Sequence, residues 1–416
     1  MAKRRHRTRY KGPDLTGGLG LAEGASLELR LSGYATNGAA LATIDDIPVE
    51  AEGGIDGELV RAEILRIWPD RVVTRVTDVI DPSPHRVAPP CPYVTDCSGC
   101  QWQHISYGHQ LTLKRDRVRE ALSAHGSLAS AEVMDTLPSE KQFGYRNHAR
   151  FTVWKGGWDH GYAGFVNATT RRFVRIDRCM LMDDRINEAL AKLQGRLSGE
   201  SQMSVRVGVN TGSMLVQPKL KNAELDVPSG AQVYEERVSG LTFRVAASSF
   251  FQVNTPQLEN LAGVVRDALG LTGLETVVDA YCGVGTFTAL LAPHARGVTG
   301  IEESASAVAD ARLNSKGLDN VRYIEAKSEV ALDQFSGGID ALVLDPPRRG
   351  CHPDVLDAVC RARPRRVAMV SCEPAAMARD LARLCNGPFK LVRVQPVDMF
   401  PQTRHVEAVA SLVLQG

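Results

Sequence analysis

From Thr255 to the C-terminus, apolar runs of strand length alternate with stretches of helical periodicity, and no other feature constrains the fold as much. The runs fall at 276–280, 297–301, 321–325, 341–344, 366–370 and, last, near 406–414. Strand followed by helix in strict alternation predicts a parallel sheet covered on both faces, an α/β fold. In open sheets of that kind ligands bind outside the carboxyl ends of the strands. Functional residues are therefore to be sought just after each run.

The rest of the chain has a different texture. At 416 residues it exceeds one ordinary core, so two or three domains are expected. Five short alternating runs (27–31, 39–43, 47–49, 58–67 and 71–76), broken by glycines, predict a small closed barrel of the oligonucleotide-binding kind. A proline-rich linker at 81–92 follows, with a domain boundary near residue 80. Residues 110–124 have helical spacing and no internal glycine or proline. Strand-like runs at 149–153, 173–176, 205–209, 214–217 and 242–245, with a helix around 182–197, predict an α+β middle part.

Hydrophobic residues make up 44% and charged residues 23%, and no apolar run reaches the roughly 18 residues of a membrane span, so a soluble protein without a membrane partner is expected. The basic start (Lys3, Arg4, Arg5, Arg7, Arg9, Lys11) has no apolar stretch behind it, which argues against a secretory signal and for a cytoplasmic protein. A net charge of +1 excludes a histone-like polyanion binder. Any nucleic-acid surface must be local, and two candidates are that tail and the run Lys114, Arg115, Arg117, Arg119, whose spacing predicts positive charge on more than one helix face. Nine cysteines in such a chain do not suggest a disulfide framework.

The run Val277-Val278-Asp279-Ala280-Tyr281-Cys282-Gly283-Val284-Gly285-Thr286 reads as a buried strand, a glycine turn that lets a ligand approach the backbone, and a helix start. Glu302 closes the next strand, where a carboxylate can accept both ribose hydroxyls of an adenosyl group. No third glycine follows at the dinucleotide spacing, nor a phosphate-binding Lys-Ser/Thr, so a ligand without phosphates is favoured. S-adenosylmethionine fits.

Asp345-Pro346-Pro347-Arg348 follows the run at 341–344 and puts a carboxylate on the same rim. Related motifs of amino-group methylases end in an aromatic residue; here Arg348 takes that position, which turns attention to a carbon target. C5 of a pyrimidine accepts a methyl group only after a thiolate has added at C6. Cys372, just after the run at 366–370, is the candidate nucleophile. Glu407 is the candidate base for the C5 proton, with His405 as rival. Cys351, Cys360 and Cys385 read as structural. Cys91, Cys97, Cys100 and the distant Cys179 form a soft donor set suited to zinc or to an iron-sulfur cluster.

These residues, with Phe250-Phe251-Gln252-Val253-Asn254 and Asp398-Met399-Phe400-Pro401, closely resemble the family of RNA uracil-C5 methyltransferases over nearly the whole chain, in particular the 23S ribosomal RNA branch with a TRAM domain and an iron-sulfur cluster. The resemblance implies a Rossmann-like class I methyltransferase domain at 103–136 and 248–416, an OB-like TRAM barrel at 1–80, and a central α+β domain at 81–102 and 137–247 that carries the metal cluster. It implies Cys372 as nucleophile, Glu407 as proton acceptor, and Gln252, Tyr281, Thr286, Glu302 and Asp345 around cofactor and base. Ala326 would meet the adenine through its backbone. The likeness of Ser98-Gly99-Cys100-Gln101 to the branch's Cys-Gly-Gly-Cys-Gln segment favours a [4Fe-4S] cluster on Cys91, Cys97, Cys100 and Cys179.

Three positions depart from the family pattern: Glu373 and Thr286 replace asparagine, and Gln402 replaces histidine. A carboxylate beside the nucleophile would raise its pKa, so Glu373 is expected to face away or to be paired. The expected substrate is a loop uridine of structured RNA, most simply in 23S ribosomal RNA, because flipping a base out of a stack costs a few kcal/mol. The barrel, with Arg146, Asn147, His148 and Arg150, would hold the RNA, and the protein would act as a monomer. The competing readings are the same chemistry on the T-loop uridine of transfer RNA, a methylthio-transferring radical enzyme, whose Cys-x3-Cys-x2-Cys motif the chain lacks, and a non-catalytic RNA-binding protein.

Overall fold

The computed structural model of the chain describes residues 12–155, 160–220, 226–335 and 338–415; the basic tail from Lys3 to Lys11 lies outside them. Two compact units are formed, one by residues up to Gln110 with Phe165–Val174 and Gln402–Arg404, the other by the remainder.

In the first unit the five expected strands are present as β1 (Ser26–Arg30), β2 (Ala40–Ile44), β3 (Ile47–Glu52), β4 (Leu59–Trp68) and β5 (Arg71–Asp81). They form one sheet in the order β1-β4-β5-β3-β2. The period-2 pattern explains it: in β3, Ile47, Val49 and Ala51 are buried while Pro48 points out. Where the chain leaves β1 it meets β2, Ser32 N donating to Leu41 O and Leu41 N to Gly33 O. Glu58, fully buried, is neutralised by Arg86 at 2.5 Å.

The helix read at 110–124 is α1 (Tyr107–Ser123). Its basic run is not the many-sided charged surface expected. Lys114 is completely buried, with Nζ 2.5 Å from Asp398 Oδ1 and 3.0 Å from Phe400 O. Apolar spacing and tertiary packing turned that residue inward, and only a partner 284 residues away makes its burial tolerable.

A short strand β6 (Glu132–Val133) precedes the middle part, which contains β7 (His148–Lys155), β8 (Gly161–Val166), β9 (Phe173–Arg175), α2 (Asp184–Leu193), β10 (Gln202–Val207), β11 (Met214–Gln217), β12 (Val233–Val238) and β13 (Leu241–Ala246). Strands β11, β10, β7 and β8 pair antiparallel in that order, and β12 pairs with β13. The sequence pattern did not reveal β8 and β12. Glycines at 161 and 164 weaken the first signal, and Glu235, Glu236 and Arg237 mask the second.

The C-terminal part runs α3 (Thr255–Leu269), β14 (Thr276–Ala280), α4 (Thr286–Leu291), β15 (Gly297–Glu302), α5 (Ala305–Asn314), β16 (Val321–Glu325), α6 (Ser328–Leu332), β17 (Ala341–Leu344), α7 (Pro353–Ala362), β18 (Arg366–Ser371), α8 (Pro374–Cys385), β19 (Phe389–Val397) and β20 (Glu407–Leu414). The eight-stranded sheet has the order β16-β15-β14-β17-β18-β20-β19-β6. Alternate residues of its strands feed two apolar layers. Val277, Val343 and Ala368 pack with Leu258, Leu261 and Val265 of α3, while Val278, Leu342 and Val367 pack with Val355 of α7 and Met377 and Leu381 of α8.

The expectation of an all-parallel sheet fails at its end. Strands β14 to β18 are parallel, but β20 runs antiparallel to β18 and β19 antiparallel to β20. The connection 398–406 contains no helix and is shorter than the dozen or so residues a parallel crossover needs, so β20 can only turn back beside β19. That reversal brings the start of β20 to the rim where the parallel strands end.

Candidate active site

Strand order reverses on either side of β14 and β17, which creates a crevice at their carboxyl ends. The sequence-selected residues lie in a row along this rim: Ala326 just after β16, Glu302 at the end of β15, Tyr281 just after β14, Asp345 just after β17, Cys372 just after β18, and Glu407 at the start of antiparallel β20. The register is decisive for the last two. Ser371 pairs with Ala408 at the end of the ladder, and Cys372 and Glu407 follow there on the two strands, near enough for the Glu407 carboxyl to act on the thiol.

The glycine turn divides its labour. Gly283 has φ of +55° and open space where a Cβ would stand, as close approach of a ligand requires. Gly285 instead serves packing, because a Cβ there would sit 2.4 Å from the Tyr323 hydroxyl. Glu302 Oε2 accepts from Gly283 N at 3.1 Å and Oε1 from Ser304 N at 2.9 Å, which holds the carboxylate on the turn. A cleft of about 880 Å³ opens here, lined by Tyr281, Glu302 and Ser328 at one end and by Gly350, Arg379 and Asn386 at the other. Gln252, Thr286, Ala326 and Asp345 do not border it. An open glycine backbone, a fixed carboxylate and a cleft of this size fit an adenosyl ligand.

Beyond the switch point the rim is a cluster of acids around one thiol. Burial first, then the nearby charge of Asp279, pushes the Asp345 carboxyl up to about 7. Asp279 is itself pushed up to about 7 by burial, although its Oδ2 accepts from Thr288 Oγ1 at 2.6 Å. Glu407, buried, is raised well above the usual carboxyl range by desolvation and by Asp345. The Cys372 thiol is pushed up to about 11 by burial and by Glu407, while the Arg348 guanidinium opposes both through its charge and a hydrogen bond. Arg348 was recognised in sequence only as a departure from an aromatic motif. Its role as cationic partner of the thiol emerges from tertiary proximity. Glu373 is not among the main charges acting on that thiol.

His405, the rival base, packs its ring edge-on to Phe400, with centroids 6.0 Å apart. Gln252 lies in the segment entering α3, its carbonyl accepting from Asn147 Nδ2 at 3.0 Å. Asn147 is buried and also bonds Thr255 Oγ1, so it positions this segment and is no phosphate contact. Asn254, which caps α3, also donates to Met399 O and so ties the Gln252 segment to the loop before Glu407. Thr286 is the first residue of α4.

Cys351 is buried in the core, and burial raises the thiols of Cys351, Cys360 and Cys385, in keeping with structural roles. Cys91, Cys97 and Cys100 lie in the first unit and Cys179 in the second; all four are half-buried and in no disulfide. Their soft sulfurs suit a metal cluster. Among the described residues, however, no group of three or more His, Cys, Asp or Glu side chains is gathered closely enough to hold a metal ion. No described helix is long and apolar enough to cross a membrane.

Fold and rim together define a class: an S-adenosylmethionine-dependent methyltransferase with the class I fold. The sequence profile described as tRNA (Uracil-5-)-methyltransferase matches residues 231–414. An uncharacterized RNA methyltransferase of Thermosynechococcus vestitus is 32% identical, over 94% of this chain and 98% of its own length. One from Gloeobacter violaceus is 33% identical, over 94% and 97% respectively. The crystal structure of Pyrococcus abyssi tRNA (uracil-54, C5)-methyltransferase in complex with S-adenosyl-L-homocysteine superposes with a TM-score of 0.71 and 25% identity, over 93% of this chain and 100% of that one. The chain belongs to the family of RNA uracil-5-methyltransferases.

Proposed function

We propose that the protein transfers a methyl group from S-adenosylmethionine to C5 of a loop uridine in structured RNA, with Cys372 as covalent nucleophile and Glu407 as proton acceptor. The observation that supports this reading is the antiparallel pairing of β18 and β20, at whose end Cys372 and Glu407 meet beside Asp345. A rim of acids alone would not call for a thiol, and a thiol alone could not finish the reaction.

The cofactor, when bound, supplies an electrophilic methyl group on a sulfonium. Everything else falls to the protein. Arg348 stabilises the Cys372 thiolate, which adds to C6 of the uracil; the C5–C6 double bond opens and C5 becomes an enolate carbon. C5 then takes the methyl group. Glu407, in its ionised form, removes the C5 proton, the ring double bond reforms, and the C6–S bond breaks to return the thiolate. Asp345, whose carboxyl is pushed up to about 7 and holds its proton below that pH, can donate in that form to the uracil as its charge develops. Gln252, Tyr281, Thr286, Glu302 and Ala326 surround cofactor and base in this reading.

The substrate is 23S ribosomal RNA on the motif resemblance. The T-loop uridine of transfer RNA is the second reading, favoured by the likeness to the Pyrococcus enzyme, whose name states tRNA uracil-54. The curled five-strand sheet would serve as the RNA-holding TRAM barrel. Cys91, Cys97, Cys100 and Cys179 would carry a [4Fe-4S] cluster, supported by donor chemistry and by the resemblance.

The mechanism is tested by incubating RNA and labelled cofactor with two variants. Glu407→Gln should accumulate a covalent protein–RNA adduct that resists denaturing electrophoresis, and Cys372→Ala should form none and lose activity. An adduct formed by the Cys372 variant defeats the mechanism.

A further inference from the structure

Arg348, the cation beside the Cys372 thiol, stands on a stretch (residues 345–352) that belongs to no helix or strand, so its position must be fixed by other means. Gly350 N donates to Pro347 O at 2.7 Å, which closes a four-residue turn with Arg348 and Arg349 at its two central positions. Before the turn the chain is anchored by β17, which ends at Leu344. After it, two neighbouring residues of α8 take hold. Asp380 Oδ2 accepts from Cys351 N at 2.7 Å, and Arg379 Nη2 donates to Arg349 O at 2.8 Å. The two side chains are also bonded to each other, Asp380 Oδ1 accepting from Arg379 Nε at 2.9 Å and from Nη2 at 2.7 Å.

The contact leaves no slack. Gly350 has φ of +83°, and a Cβ there would run into both Arg379 Nη2 and the Asp380 carboxyl. Asp380 is 1% exposed and lies among the buried Met377, Ala378 and Leu381 of α8, where a carboxylate pays a desolvation penalty that an apolar residue would avoid. What the carboxylate supplies in return is direction: one oxygen for a buried backbone N–H, the other for a guanidinium that reaches back to the turn. Helix α8 begins at Pro374, directly after the Cys372–Glu373 pair, and Asp380 is about 9 Å further along its axis. The thiol and the residues that grip the Arg348 turn are therefore tied to one rigid element. Arg348 in turn acts on both partners of the chemistry, drawing down the Cys372 thiol and the Glu407 carboxyl.

We propose that Arg379 and Asp380 are positioning residues, which lock the turn at 347–350 onto α8 and so hold the Arg348 guanidinium against the Cys372 sulfur. The inference deepens the proposed function, on which it rests for the role of the thiol.

The test reads the sulfur directly in the full-length protein, without RNA or cofactor, as the rate of iodoacetamide labelling of Cys372 at pH 8 resolved by peptide mass analysis. Arg379 is exposed, so Arg379→Gln releases the turn without emptying the core, and Asp380→Asn is the second variant. Each should label roughly threefold or more slowly than wild type, because less thiolate forms once the guanidinium is no longer held in place. Since the effect runs through Arg348, adding Arg379→Gln to Arg348→Ala should slow labelling no further than Arg348→Ala does alone. A general loss of packing would act alike in both backgrounds. Wild-type labelling in both single variants, or the same fold-slowing by Arg379→Gln whether Arg348 is present or absent, would overturn the proposal. Coupling of Arg379 to Arg348 in a protein whose Glu407→Gln variant traps no RNA adduct would leave the positioning role standing and sink the proposed function; independent effects beside a trapped adduct would sink the positioning role alone.

Discussion

Cys372 sits between opposing influences, and their balance sets how the thiol responds to pH. Burial and Glu407 push it up to about 11, while Arg348 draws it down. Removing the guanidinium should therefore move the midpoint upward: in Arg348→Ala, iodoacetamide labelling of Cys372, followed by peptide mass analysis at pH 8, should slow roughly tenfold. Unchanged labelling would show that Arg348 does not act on the thiol. Asp345 provides a second test, with a worked sign. Its folded pKa of about 7 lies above that of an unfolded aspartate, so it favours the folded state in its protonated form, and this contribution is lost as pH rises through about 7. Asp345→Asn, which cannot ionise, should lose activity yet gain thermal stability relative to wild type between pH 5 and pH 8. A difference in Tm that is constant over that range would contradict the raised pKa. The rim positions of Cys372, Glu407 and Asp345 were legible one at a time, because each sits at the end of an apolar strand. Arg348 as their counter-charge was not, since its effect depends on spatial proximity and not on sequence spacing.

At the scale of elements, the loop between β19 and β20 delivers Glu407, and one buried ion pair anchors it. Lys114 on α1 meets Asp398, whose Oδ1 also accepts from Phe400 N, and Tyr145 OH bonds Pro401 O. Desolvation pulls the ammonium below its ordinary pKa while Asp398 opposes that pull. Removing one partner leaves the other charge buried and unpaired, so Lys114→Met should cost about 3–5 kcal/mol in urea unfolding. Adding Asp398→Asn to that variant should recover part of the loss; equal stability of single and double variants would show that the pair is not coupled. The parallel strands could be read from their apolar runs. Strand β19 could not, because its pattern, with Lys390, Arg393 and Gln395 exposed or half-buried, resembles a polar connection until β20 pairs with it.

At the scale of the whole molecule, net charge says little about RNA, because attraction resides in local faces and not in the sum. Supplying labelled cofactor with transfer RNA and with 23S ribosomal RNA in parallel should label the ribosomal RNA; labelling of the transfer RNA alone would establish the second reading. Cys97→Ser, purified anaerobically, should lose iron and visible absorbance and unfold at a lower temperature. A spectrum identical to wild type would rule out Cys97 as a ligand. The amino-acid sequence by itself determined the layered α/β architecture, the glycine turn and the rim positions of Asp345 and Cys372, because periodicity and strand ends are local properties of the chain. Only the tertiary structure decided that β20 turns antiparallel and brings Glu407 beside Cys372, that Lys114 is buried, and that Gly285 serves packing. Each of those depends on which distant segment arrives as a neighbour, and pairing register and desolvation exist only once it has.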